Sequence, residues 1–258
     1  MIHLLTHQYD EEERDAVVEK NVFGFLFRAD YTTHYSKRAI RKCREFLNQY
    51  PKILRRAERE LGVPKEVITS LLWVETKHGT DRGKKPISHV YFSLIQADHP
   101  EVVKAMQELL KEKVAEPDTE TVMKVSTRCK DKAVWALEEL KSLQEIQQKK
   151  MLKVRALKGS YAGAFGNAQF LPSSYLKWAK SSRKTRTPDL TRMSDSIMSV
   201  ANYLQVNGWK KDDPASHQAA LYHYNRTQGY VDVILKIAHE IEAAQDPTPI
   251  ALASPLPK

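Results

Sequence analysis

Apolar residues recur at helical spacing along most of the chain, separated by short polar or proline-containing breaks. "SKRAIRKCREFLNQY" and "PKILRRAERELG" both carry apolar positions three and four residues apart, the mark of an amphipathic helix. The second opens on Pro51 and closes at Gly62, residues suited to a first helical turn and to a C-terminal stop. Pro64 and Gly79 bracket a third segment in the same way. From Pro100 to Lys158 the pattern predicts two or three long charged helices. Three more follow. One starts at about Ser173 and runs through "SYLKWAK". The next, "SDSIMSVANYLQVNG", has Ser194 or Asp195 to cap it and Gly208 to stop it. The last, "YVDVILKIAHEIEAA", sets Tyr230, Ile234, Ile237 and Ile241 on one face. Alternation typical of strands is scarce: "HVYFSLI" is the best candidate and reads equally well as a helix. The expected fold is mostly α.

One charged residue breaks the pattern. In "ITSLLWVETKHG", Ile68, Leu71 and Leu72 form an apolar stripe, and Glu75 continues it toward the core. Taking a carboxylate from water costs energy unless partners replace the water. Glu75 also lies near the C-terminal end of its helix, where the dipole disfavours negative charge. Both effects raise its pKa, and a carboxylic acid still protonated near neutral pH is what general acid catalysis requires. A core-edge glutamate paired with one of the 41 lysines and arginines would look the same in sequence. Glu75 and His78 also form Glu-x-x-His, the spacing of di-iron helical bundles, but the chain has no second such pair, so no metal is expected.

Two further stretches carry candidate chemistry. "GSYAGAFGNAQFLPSSYLKWA" packs Gly159, Gly163 and Gly166 into eight residues of a chain with nine glycines, a density that permits close backbone approach or positive φ. Its spacing fits neither a dinucleotide fingerprint nor a P-loop. Ser160 and Gln169 are the polar groups within it, and a tight helix contact requiring small residues is the structural alternative. In "ALYHYNRTQGYVDV", Tyr222, Tyr224 and Tyr230 flank Asn225 in a polar turn between two helices. Aromatic faces and an amide suit a sugar ligand; a packed tyrosine cluster suits the same residues.

Composition narrows the picture only a little. The 258 residues are 41% hydrophobic and 28% charged, enough for a sizeable core, and the net charge of +9 is compatible with an anionic partner. Charge alone would also allow a nucleic-acid-binding helical protein, a reading no motif supports. Cys43 and Cys129 make neither a disulfide framework nor a zinc site by themselves. No apolar run is long enough for an integral membrane span, and the start lacks the features of a secretory signal. The proline-rich "QDPTPIALASPLPK" reads as a disordered tail over 245–258, after one domain over 1–244.

In this order the three stretches resemble the lytic murein transglycosylases of the membrane-bound B type. "GVPKEVITSLLWVETKHG" looks like the segment presenting that family's catalytic glutamate, and "GSYAGAFGNAQFLPSSY" is very close to its glycine-rich signature. "SVANYLQVNGW", which carries Tyr203, and "YNRTQGYVDVIL" look like its later segments. The resemblance runs from about Leu61 to Ala238 and implies a lysozyme-like helical domain with a substrate groove. The ligand would be the glycan strands of peptidoglycan, with no cofactor and no nucleic acid. Glu75 would be catalytic, Ser160 near it, and Gln169 would help hold the glycan. Tyr203, Tyr224 and Tyr230 would line the groove, and Asn225 would orient a sugar. Such a protein would be exported to the periplasm or cell envelope, its leader absent from this sequence, with a membrane anchor on the full-length protein as an open alternative, and cell-wall protein partners stay unspecified. A hydrolytic muramidase of the same fold and a non-catalytic peptidoglycan-binding protein are the alternatives. The basic "AKSSRKTRTPDLTRM" stands where some members carry an acidic calcium loop, so calcium is not expected. The stretch over 100–158 is a charged helical insertion, longer than usual for that family.

Overall fold

Helix-forming sequence dominates the computed structural model of the protein, which describes residues 11–26, 29–184 and 186–243. The first four helices are α1 (Glu11–Val22), α2 (Lys37–Gln49), α3 (Pro51–Leu61) and α4 (Lys65–Thr76). Strand β1 (Lys85–Pro86) leads into α5 (Ile87–Leu94), followed by α6 (Pro100–Lys113) and the 30-residue α7 (Thr119–Gln148). Strand β2 (Lys158–Gly159) pairs antiparallel with β1, Lys85 opposite Gly159. The chain continues with α8 (Pro172–Trp178), α9 (Met193–Val206), α10 (Pro214–Tyr224) and α11 (Gln228–Ala243). The mostly α expectation is met.

α4 is the hub. Nine of its residues are buried, Glu66, Thr69, Ser70 and Thr76 among them, so it is covered nearly all round, as a central helix must be. It lies between α11, α2, α9 and α3. α11 turns toward it the face read from the sequence: Tyr230, Ile234, Ile237 and Ile241 are all buried. The ambiguous "HVYFSLI" falls in helix α5. Its buried positions Ile87, Val90, Tyr91 and Leu94 follow a helical spacing that strand alternation does not explain.

Two boundaries differ from the sequence reading. α4 ends at Thr76 rather than at Gly79, because Lys77 and His78 already take left-handed backbone with φ of 50 and 57°. α9 starts after Arg192 without a side-chain cap from Ser194 or Asp195. Asp195 turns inward instead, its Oδ1 accepting from Ser182 N at 2.8 Å and its Oδ2 from Asp189 N at 2.9 Å. It fixes the basic loop after α8, and that use outcompetes capping. Gly208, with φ 102°, follows the end of α9 as expected.

The charged segment folds as α6 and α7, with a job behind the glycine-rich loop. Trp135 of α7 packs edge-on against Tyr91, centroids 5.6 Å apart, and the Tyr91 hydroxyl donates to Gly163 O at 3.1 Å. Glu139 of α7 accepts from Ser173 N at 2.9 Å and from Ser173 Oγ at 2.6 Å, holding the start of α8. Cys43 and Cys129 are free and buried, and burial pushes their thiols up to about 12 and about 11. No described helix is long and apolar enough to cross a membrane. The proline-rich 245–258 lies outside the described residues.

Candidate active site

The end of α4 is clamped from two sides, and the clamps aim Glu75. Thr76 Oγ1 donates to Asn167 O at 2.9 Å and accepts from Gly79 N at 2.9 Å, tying the helix end to the glycine-rich loop. Asn167 N in turn donates to Leu190 O at 2.8 Å, and Asn167 Nδ2 to Ser196 Oγ at 3.3 Å. On the other side the His78 ring stacks on Phe46 at 4.0 Å between centroids, with Nε2 3.0 Å from Thr69 O. Burial lowers the His78 pKa to about 4, so the ring is neutral and Nε2 donates. The left-handed turn also breaks the helical i,i+3 relation of Glu75 and His78. Among the described residues no cluster of three or more His, Cys, Asp or Glu side chains is placed to hold a metal ion.

Glu75 is half-buried, and its Oε1 accepts a 2.6 Å hydrogen bond from the Tyr230 hydroxyl. Burial raises its pKa to about 7, while the Tyr230 bond, which favours the carboxylate, pulls the other way. The balance leaves a comparable share of acid and carboxylate at neutral pH. A cleft of 300 Å³ opens on this group, lined also by Asp81, Lys84, Ser160, Tyr161 and Gln169. That volume is at the lower end for ligand sites, consistent with one segment of a longer open groove. Asp81, the other carboxylate of the cleft, is exposed.

The cleft wall depends on glycine where two backbones nearly touch. A Cβ on Gly83 would lie 2.2 Å from Gly159 O, and one on Gly159 would lie 2.0 Å from Ala164 O. This approach, with the β1–β2 pair, brings Ser160 into the same cleft as Glu75. Ser160 Oγ accepts from Ala162 N and Ala164 N, both at 3.3 Å, which shapes the turn carrying Tyr161. Gln169 has φ 48°, and its amide donates to Gly166 O at 2.9 Å and Arg82 O at 3.3 Å. The glycine density thus serves close approach within the loop.

The tyrosines form a layered wall. Tyr230 touches Glu75 directly. Tyr224 lies nearly parallel to Tyr230, 6.3 Å between centroids, and its hydroxyl donates to Ala168 O. Tyr203 is 5% exposed, packs edge-on against Tyr224 at 4.5 Å, and its hydroxyl donates to His223 O at 2.9 Å. Asn225 is half-buried, and its Nδ2 donates to the Tyr31 hydroxyl at 3.0 Å. Tyr222 is 45% exposed. Glu75, Ser160 and Gln169 therefore share the cleft, while buried Tyr230 packs against Glu75, Tyr224 stacks on Tyr230, Tyr203 packs on Tyr224, and Asn225 bonds Tyr31.

Two aromatic residues were missed from sequence. Tyr31 stands edge-on to Tyr230 at 5.6 Å and accepts from Asn225, and no local pattern flags it. Tyr161 lies within the glycine-rich segment. It is 49% exposed beside Glu75, and an aromatic set between closely spaced glycines is the sequence signal for it.

Comparison with known proteins agrees with this architecture. Residues 20–233 match the model of the family described as "Transglycosylase SLT domain". The chain is 30% identical over 174 residues to membrane-bound lytic murein transglycosylase B of Escherichia coli (strain K12). That match covers 67% of this chain and spans 40% of the relative's length. Among solved structures, the E. coli lytic transglycosylase Slt35 in complex with bulgecin A aligns with TM-score 0.69 at 20% identity, over 90% of this chain and 84% of that one. SltB1 of Pseudomonas aeruginosa aligns with TM-score 0.67 at 18% identity, over 90% and 99%. SltB3 of P. aeruginosa, in complex with NAG-anhNAM-pentapeptide, aligns with TM-score 0.67 at 16% identity, over 91% and 72%. The fold is thus the lysozyme-like one of these lytic transglycosylases, and the chain belongs to the transglycosylase SLT domain family.

Proposed function

We propose that the protein cleaves the MurNAc–GlcNAc linkage of peptidoglycan strands as a lytic transglycosylase, with Glu75 as acid and then base. The observation that carries this reading is a half-buried carboxylic acid, pKa about 7, facing a cleft with a single phenolic donor. In the first step Glu75 gives its proton to the bridging oxygen as the glycosidic bond breaks and positive charge develops at the anomeric carbon. Glu75, now a carboxylate, takes the proton of the MurNAc C6 hydroxyl as that oxygen bonds to the same carbon. The GlcNAc fragment leaves with a free hydroxyl, and the MurNAc end closes into a 1,6-anhydro ring. Glu75 ends protonated, ready for another cycle. Tyr230 stabilises the transient carboxylate. Ser160 and Gln169 hold the sugar beside the acid, Asn225 and Tyr224 orient it from the tyrosine wall, and Tyr203 keeps Tyr224 in place. No cofactor enters the scheme. The strand that carries this linkage lies outside the cytoplasmic membrane, so the protein acts in the cell envelope.

Ordinary glycosidases use two carboxylates at defined separations, whereas an acceptor hydroxyl within the substrate needs only one. Exposed Asp81 on the same cleft is the feature that favours a hydrolytic muramidase instead. Mass spectrometry of purified peptidoglycan after digestion separates the two. Anhydromuropeptides from the wild type, absent with Glu75→Gln, are expected. Reducing MurNAc ends would replace this reading with hydrolysis, and no products from folded protein would replace it with glycan binding.

A further inference from the structure

The turn after α4 has a second concave face. Together with α2 it borders an open cavity of 590 Å³ whose lining includes Arg38, the Lys42–Glu45 ion pair, Phe46, Tyr50, Trp73 and Lys77. Thr80 lines this cavity and Asp81 lines the Glu75 cleft, so the two spaces meet across one turn. Left-handed backbone at Lys77 sets its side chain here rather than along the helix. The Lys77 ammonium lies 4.7 Å from the Trp73 ring centroid and 2.6 Å from His34 Nδ1. An ammonium only donates, so His34 Nδ1 is the acceptor and carries no proton. Burial and the Lys77 charge both lower the His34 pKa, in keeping with a neutral ring.

No carboxylate of the described residues pairs directly with this cation, on which Asp81 acts only at longer range. Among the described residues neither Lys77 nor Arg38 has a carboxylate within 4.0 Å, whereas Lys42 is paired with Glu45 at 2.6 Å. Burial lowers the Lys77 pKa, a cost that an entering carboxylate would offset. Phe46, Tyr50 and Trp73 offer apolar walls for the chain bearing that carboxylate. A charge-assisted hydrogen bond beside an aromatic surface suits a short acidic peptide better than a neutral sugar.

We propose that this cavity is a carboxylate-binding subsite for the peptide substituents of the glycan strand cleaved at Glu75, with Lys77 as its anchor and Arg38 at its rim. The assignment of the peptide to that strand rests on the reading of the cleft given above. The test is a titration, followed by NMR, of wild type, Lys77→Met and Lys77→Arg with free L-Ala-γ-D-Glu-L-Lys and with the same tripeptide after amidation of its carboxyl groups. The wild type is expected to bind the acid form about tenfold or more tightly than the amide. Lys77→Met is expected to lose that preference, and Lys77→Arg to keep most of it. Melting curves of the variants establish that each is folded. Because binding is read without turnover, acid-selective binding that depends on Lys77 supports the subsite even where digests contain no anhydro ends; that absence would sink only the catalytic reading. No binding at millimolar peptide, equal binding of acid and amide, or equal selectivity of wild type and Lys77→Met would overturn the subsite whatever the digests show.

Discussion

Glu75 at the end of α4 and Asp195 at the start of α9 are both acids turned away from bulk water, and their surroundings give them opposite uses. Asp195 is 1% exposed, sits in the first turn of its helix and accepts two backbone N–H groups at 2.8 and 2.9 Å. Glu139, 3% exposed, is similarly filled by Ser173 N and Oγ. Glu75 sits in a last turn, where the dipole opposes its charge, and receives one phenol. Donors to the charged form favour that form; burial without enough donors favours the acid. The fold therefore uses two buried carboxylates as clamps and leaves one short of donors at a cleft.

The largest effect that sharpens this comparison is on turnover. Glu75→Gln removes the proton that is given and taken back, and should lower kcat by about 10³-fold or more in a muropeptide-release assay, while glycan affinity changes little. Next is the clamp: Asp195→Ala strands the N–H groups of Ser182 and Asp189 and should cost about 3 kcal/mol, read as a lower denaturant midpoint. Loss of turnover without loss of stability there would blur the division between clamp and acid.

The third effect has the opposite sign. The folded-state pKa of Glu75, about 7, lies above its unfolded value of 4.5. The native state thus holds the proton over that interval and loses stability as pH rises through it, with the loss complete above about 7. Glu75→Gln, which never carries the charge, should be more stable than wild type by about 2 kcal/mol at pH 8 and gain little at pH 4. Paired denaturant curves at the two pH values check this. Smallest is Tyr230→Phe. It removes the donor that lowers the Glu75 pKa, so the alkaline limb of the pH–kcat profile should move upward, with a several-fold fall in kcat.

Sequence reading went far where the constraint was local. The stripe through Ile68, Leu71 and Leu72 already points Glu75 inward, and α11 shows its buried face as plain periodicity. It failed where distant groups decide. Lys77 ends α4 early because Asn167 and Phe46 hold the turn that follows. Asp195 reads as a cap until Ser182 and Asp189 are seen to claim it. Tyr230 meets Glu75 across 155 residues, and Tyr31 meets Asn225 across 194, separations that leave no trace in periodicity. The glycine-rich segment lies between these cases. Its density signals a close approach, but only the fold shows that Gly83 and Gly159 are the partners.

The most direct test of the donor-poor acid is a ¹³C NMR titration of side-chain-labelled glutamate in wild type and in Glu75→Gln, which assigns the Glu75 resonance by its disappearance. A midpoint near 7, rising in Tyr230→Phe, is the predicted result. A midpoint at or below 4.5 would make Glu75 a carboxylate throughout the working range, and would contradict its role as the proton donor.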